Sequence, residues 1–248
     1  MSRQLRRSAP RRTGERTRLQ SALPAGQTRS GTAANLIYAE LRQDIVALRR
    51  RPGEPILEKE IALARGVSRT PVREALLRLA DEQLVEIRPQ SGTFVGRIPI
   101  DALPERILVR TALEELIARL AAQHAQRDQV AGLRAIVDRQ RELAAQGDRD
   151  RFHESDEAFH AAIADAAGHP GIWTLIQQVK VQVDRLRRLT LPVPGRMRQI
   201  VREHGAVVDA IEAGDPAHAV TCMSAHLHAL RTSIGDIRDL NPGFFVEG

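Results

Sequence analysis

From Ala33 the chain falls into a helical rhythm, with Leu36, Ile37, Leu41, Ile45 and Leu48 recurring every three or four residues, which predicts a helix over about 33–50. The run Arg51-Pro52-Gly53-Glu54-Pro55 ends it, because proline disfavours helix for the residue before it. A short second helix follows at about 58–65, carrying Ile61 and Leu63. Ser68 is a suitable N-cap for a third, with Pro71 in its first turn, where a missing N–H costs nothing. Val72, Leu76 and Leu79 give that helix its apolar stripe, and Leu77 and Leu84 widen it. Two short β-type runs, 84–87 and 93–95, then flank Pro89-Gln90-Ser91-Gly92, a hairpin signal. Beyond residue 97 the rhythm is helical, and no stretch alternates as a strand would. Asp101 is placed to cap a helix of about 102–124, and others are expected at about 128–146, 149–167, 170–190, 196–213 and 215–234. Glycines and prolines separate them, and Asp215-Pro216 reads as an N-cap followed by proline at the first helical position.

Two short helices joined by a glycine-containing turn and followed by a hairpin make a winged helix-turn-helix. The expected fold is therefore mainly α, an N-terminal winged helix-turn-helix followed by an all-helical antiparallel bundle. The corresponding divisions are a basic arm at 1–30, the winged unit at 31–97, the bundle at 98–240 and a tail at 241–248. The bundle is the expected site of metal, ligand and dimer contacts.

Charge sharpens this division. The 248 residues carry 37 basic against 31 acidic side chains, a net of +6. Residues 1–30 hold eight arginines against Glu15 alone, so the remainder is nearly neutral at −1. The arm mixes arginine with polar residues, glycine and proline and reads as disordered, either touching nucleic acid or simply solvated. The winged unit is only +2 and the bundle with its tail −3, so total charge is a poor argument for DNA binding. Position is a better one. The start of the third helix offers Arg69, Thr70 and Arg73 together, on an element that fits the major groove. Guanidinium groups there grip guanine or clamp phosphate, and the free N–H groups of a helix start favour phosphate oxygens. The hairpin tip at Gln90, Ser91 and Gly92 is placed to reach the neighbouring minor groove. A single cysteine, Cys222, excludes an intramolecular disulfide and a thiolate zinc cluster. With no apolar run of membrane-spanning length and no signal peptide, a cytoplasmic location is expected.

Polar residues on apolar faces carry the rest. Phe152, Asp156, Phe159, His160 and Ile163 form one ridge, so a carboxylate and an imidazole at i and i+4 lie among buried side chains. His204 falls in the stripe Val201, His204, Val208, Ile211, and His226 shares a face with Cys222, Met223, Leu227 and Leu230 that excludes His218 and His228. A lone histidine of this kind is more often a hydrogen-bonded core residue than a ligand. Four convergent groups favour a site instead: Asp156, His160, His204 and His226 would suit a borderline divalent metal such as Zn²⁺, with Ni²⁺ or Mn²⁺ as alternatives. Cys222, one turn from His226, is either an additional ligand or a packing residue.

Several of these runs are recognisable. Pro52-Gly53, Glu58-Lys59-Glu60-Ile61-Ala62, the stretch Gly66-Val67-Ser68-Arg69-Thr70-Pro71-Val72-Arg73-Glu74-Ala75-Leu76 and Ser91-Gly92-Thr93-Phe94-Val95 together resemble the DNA-binding half of the GntR family of bacterial transcription regulators. The resemblance implies that Lys59 meets phosphate and that Ser68, Arg69, Thr70, Arg73 and the Gly92 tip contact a double-stranded operator. Gln83 departs from it, since the family usually has glycine there, and this puts the shape of the third helix's end in question. The spacing of Arg110 to Glu114, Asp156 to His160, His204 and His226 resembles the FCD ligand-binding domain of the FadR subfamily. That resemblance implies a metal-containing sensor of a small organic acid, dimeric and most often a repressor. Arg110, Arg185 and Arg188 are candidates to face the acid, with interhelix or surface salt bridges as the alternative. A metal-dependent hydrolase using the same Asp/His set is the competing reading. Glu157 and Glu203, the nearest spare carboxylates, fall on other faces, which counts against it.

Overall fold

A computed structural model describes residues 25–246, with side chains from residue 31 onward. The expected arm thus lies mostly outside the described residues. Helix α1 (Ala25–Val46) begins earlier than the apolar period does, so residues 25–30 belong to a helix rather than to the arm. A two-residue strand β1 (Pro55–Ile56), α2 (Glu58–Arg65), α3 (Arg69–Asp81) and the hairpin β2 (Val85–Arg88) and β3 (Gly92–Val95) complete the winged unit. β3 is central in the antiparallel sheet, pairing Phe94 with Pro55 on one side and with Glu86 on the other. Ile37, Leu41, Ile45, Val72, Leu76, Leu79 and Leu84 form its core. Of the two residues expected to widen the stripe of α3, Leu84 is buried and Leu77 is 58% exposed, and Leu63 of α2 is 81% exposed.

Gln83 has a φ of +58°, so this chain keeps the left-handed helix ending without the glycine that makes it easy. Ser68 stands at the N-cap of α3 with extended backbone, but its side chain makes no cap hydrogen bond. The hairpin tip needs its glycine, because Gly92 sits at φ +112°, a conformation that a residue with a Cβ rarely adopts.

A short strand β4 (Ile98–Pro99) leads into the bundle: α4 (Leu103–His124), α5 (Arg127–Gln146), α6 (Arg149–Ala166), α7 (Pro170–Val179), α8 (Val181–Thr190), α9 (Arg196–Glu212), α10 (Pro216–Thr232) and α11 (Ile234–Leu240). The helix expected at 170–190 is thus two helices that meet at Lys180, whose backbone interrupts the first without a proline or glycine to signal it. Ala102, not Asp101, occupies the N-cap of α4, since Ile100–Ala102 forms a 3₁₀ turn. Asp215 caps α10 as expected, accepting from the His218 N–H at 3.0 Å. The segment read as a tail contains β5 (Phe245–Val246), which pairs in parallel with β4. Phe152, Phe159, Ile163, Val208, Ile211 and Met223 belong to the large core among α4, α5, α6, α9 and α10. No described helix is long and apolar enough to cross a membrane.

Candidate metal centre and nucleic-acid interface

Apolar periodicity turns one face of α6, α9 and α10 inward, and the polar residues on those faces go with it. Asp156, His160 and His204 are fully buried and His226 is 4% exposed. Each offers one ligand-type atom, and these four atoms all lie within 4.8 Å of one another. The Nε2 atoms of His204 and His226 are 3.3 Å apart.

The tautomers follow from the surroundings. His204 Nδ1–H donates to Gln140 Oε1 at 2.8 Å, and His226 Nδ1–H donates to Glu203 Oε2 at 2.8 Å. His160 Nδ1 lies against Glu114 Oε2. With each Nδ1 facing an oxygen that can only accept, the three Nε2 atoms are left on the side of the rings that gathers with Asp156. Asp156 Oδ2 is 3.7 Å from His160 Nε2, and Oδ1 is 3.7 Å from His204 Nε2. The Arg187 guanidinium is paired with Asp156 Oδ1, and Oδ2 has no hydrogen bond among the described residues. Imidazole nitrogens gathered around a buried carboxylate, one of whose oxygens has no hydrogen bond among the described residues, make a donor set that fits a divalent cation.

Electrostatics keep the groups in their ligating forms. Burial lowers the His160 pKa to about 4, with the Glu114 carboxylate opposing that shift, and burial followed by repulsion from His226 takes His204 well below its ordinary value. Both rings are neutral at pH 7. Burial alone would raise the Asp156 and Glu114 pKa values. Arg187 and then His160 outweigh it for Asp156, and Arg110 and then His160 do so for Glu114, leaving both carboxylates ionised. Phe159 stacks on the His204 ring at a centroid distance of 3.9 Å and walls the site.

The three candidate arginines separate. Arg110, 1% exposed, donates from Nε to Glu114 at 2.6 Å, and its Nη2 is 3.2 Å from His160 Nε2, at the edge of the four-residue cluster. Arg185 does not face the cluster: its Nη2 donates to the Gly96 carbonyl at 2.6 Å, between the bundle and the winged unit. Arg188 pairs with Asp150 at 2.7 Å and is likewise not directed at the site. Periodicity could not have sorted them, because Val181–Arg187 is buried almost all round. Glu203, assigned to another face, instead holds His226. Cys222 packs half-buried, 3.6 Å from the exposed His218, and lies outside the four-residue group. Two residues that complete the site went unread. Gln140 is legible in retrospect as a polar residue within the stripe Val130, Leu133, Val137, Leu143. Arg187 is not, for the reason that hid Arg185.

At the other end of the molecule, Lys59, Ser68, Arg69, Thr70, Arg73 and Gly92 are all exposed on the winged unit. Ser68 to Arg73 gather at the start of α3, and Gly92 stands at the hairpin tip. Arg73 Nε is held at 3.0 Å by Glu58 of α2, which fixes the guanidinium across the turn between the two helices. Arg88, flanking the tip, is chelated by Glu86 and lies over the Phe94 ring at 4.8 Å.

Residues 33–95 match the family model described as bacterial regulatory proteins, gntR family, and residues 105–229 match that of the FCD domain. An HTH-type transcriptional regulator in an unstable DNA locus of Streptomyces ambofaciens is 37% identical over 225 residues, covering 89% of this chain and 92% of the relative. The HTH-type transcriptional repressor RspR of Escherichia coli K12 is 33% identical over 211 residues, covering 85% and 92%. Among solved structures, E. coli McbR/YncC shares the fold with a TM-score of 0.70 at 21% identity, over 82% of this chain and 97% of that one. With Arg69, Thr70 and Arg73 exposed at the start of α3 and both family models matched, the chain belongs to the GntR family of bacterial transcription regulators, in the FCD-bearing FadR subfamily, and is a DNA-binding regulator rather than an enzyme.

Proposed function

We propose that this regulator is a repressor that reads a short palindromic operator as a homodimer and is controlled by a small organic acid at a metal site in the bundle. Asp156, His160, His204 and His226 would hold the ion, Zn²⁺ foremost and Ni²⁺ or Mn²⁺ as alternatives. When bound, the ion supplies a Lewis-acidic centre with coordination positions free for a carboxylate. The observation that carries this reading is the shared orientation of the imidazoles, with Nδ1 atoms held by Glu114, Gln140 and Glu203 and Nε2 atoms directed at Asp156. Histidines buried only for packing have no need of that arrangement. Arg110, at the edge of the cluster, supplies a guanidinium suited to the acid's carboxylate. On the operator, Arg69, Thr70 and Arg73 meet base edges and phosphates, Ser68 and the α3 N–H groups meet phosphate, Lys59 adds a phosphate contact, and the Gly92 tip enters the minor groove. The repressor sign is supported by relatives that bear that name, RspR and a D-xylose utilisation operon repressor of Paenarthrobacter nicotinovorans. A two-fold operator requires a two-fold protein, which supports the dimer.

The test is metal analysis of purified protein by mass spectrometry, with a thermal-shift screen of small carboxylates on the zinc-loaded form. The expected outcome is about one zinc per chain, lost in His204→Ala/His226→Ala together with the carboxylate-dependent shift. Equal metal content in both proteins would refute the site.

A further inference from the structure

Helix α8 faces two ways. Val181 belongs to the core of the winged unit, while Val183 and Leu186 pack with Ile98, Leu103 and Phe245 around the connection between the domains. Two of its buried polar residues reach toward the winged unit. Gln182 Nε2 donates to the Gln83 carbonyl at 3.1 Å, and its Oε1 accepts from Arg185 Nη1 at 2.9 Å. Arg185 Nη2 completes the chain on the Gly96 carbonyl. Arg185 is fully buried, its named partners are an amide and a carbonyl, and its Nε has no hydrogen bond. A guanidinium satisfied only by neutral acceptors is costly, so its presence calls for a purpose other than stability. One turn or less further along, Arg187 points the other way, against Asp156 Oδ1 and 3.7 Å from Glu157 Oε1. Lys180, at the start of α8, holds Glu157 and Asp184 at 2.5 Å each.

We infer that Gln182 and Arg185 are positioning residues through which the state of the Asp156 site sets the placement of the DNA-reading unit. The inference rests on the proposed reading of that site as a cation site. A cation there and the Arg187 guanidinium must share one buried carboxylate, and like charges so placed repel. Arg187 is 6% exposed, and its close-packed surroundings leave the guanidinium little room to move without its helix. The interruption at Lys180 makes α8 an element separate from α7, so a displacement of α8 need not carry α7 with it. Any such shift acts on the Gln83 and Gly96 carbonyls at the two ends of the segment that leads into and out of the wing. By linkage, operator binding must then alter affinity at the Asp156 site by the same factor.

A double-mutant cycle on the full chain tests this, with Asp156→Asn as one change and Gln182→Ala/Arg185→Ala as the other. Dissociation constants are read by fluorescence anisotropy on a duplex selected from a random pool. Asp156→Asn should shift the operator Kd by about fivefold or more in the unmodified chain and by less than about twofold in the Gln182→Ala/Arg185→Ala background. Equal shifts in both backgrounds, or no shift in the unmodified chain, would overturn the inference. If the double change disturbs folding, as judged by circular dichroism, Gln182→Ala alone carries the same cycle with a partial loss of coupling. Arg185→Lys, which restores a charged donor near Gly96, should recover part of it. Zinc content separates the two readings: coupling without bound zinc sinks the metal assignment and keeps the α8 device, whereas bound zinc without coupling does the reverse.

Discussion

Gln83 and Gly96 illustrate how single backbone positions set the join between the two halves. A Cβ on Gly96 would stand 2.7 Å from the Gln83 carbonyl oxygen and 3.2 Å from the Leu84 carbonyl carbon, so Gly96→Ala requires the backbone to shift. It should cost about 1–3 kcal/mol, read as a lower urea midpoint. Gln83→Gly should do the opposite and gain about 1 kcal/mol, because glycine adopts φ +58° without the steric penalty that glutamine bears. His153 provides a pH prediction. Burial lowers its pKa to about 4, with Asp184 opposing that shift, so the stability tied to its neutral form is complete above the unfolded value near 6.5 and is lost as pH falls toward 4. The loss amounts to up to about 3 kcal/mol. Glu157, raised to about 7 by burial and by Asp184, acts in the reverse sense, contributing stability that is lost as pH rises from about 4.5 to 7. The His153 contribution is therefore measured as the difference in unfolding free energy between wild type and His153→Gln across pH 4–7. A flat difference would contradict the assignment.

Helix α3 is the element to which the proposed reading assigns DNA recognition. Arg69→Ala/Arg73→Ala should abolish sequence-specific binding while leaving the helical circular dichroism and metal content intact; retained operator recognition would rule out α3 as the reading helix. That helix was legible in the sequence, as were most of the bundle helices and the convergence of Asp156, His160, His204 and His226, because a 3.6-residue period reports which face turns inward. Strands β1, β4 and β5 were not, since two residues are too few to show alternation. The division of residues 170–190 at Lys180 was hidden because no residue type marks it, and the direction of Arg185 and Arg187 because a helix buried on nearly every side has no polar face to orient it. Periodicity reports that a residue is inside; it does not report which of two neighbours it meets.

For the molecule as a whole, the net charge of +6 is a property of the first thirty residues and not of the winged unit. Deleting residues 1–24, which leaves α1 whole, removes seven arginines, and operator affinity should fall mainly at low salt, with a shallower dependence of log K on log salt. An unchanged slope would make the arm a bystander. The pairing of Ile98 with Phe245 and of Pro99 with Val246 has a consequence for biosynthesis. The winged unit emerges from the ribosome and can fold first, whereas the strand that fastens its exit, together with the Gly243 carbonyl that accepts from Arg97, follows nearly 150 residues later. At about 5–20 residues per second, that leaves an interval of about 7–30 s in which the nascent chain holds a finished winged unit not yet fastened to the bundle.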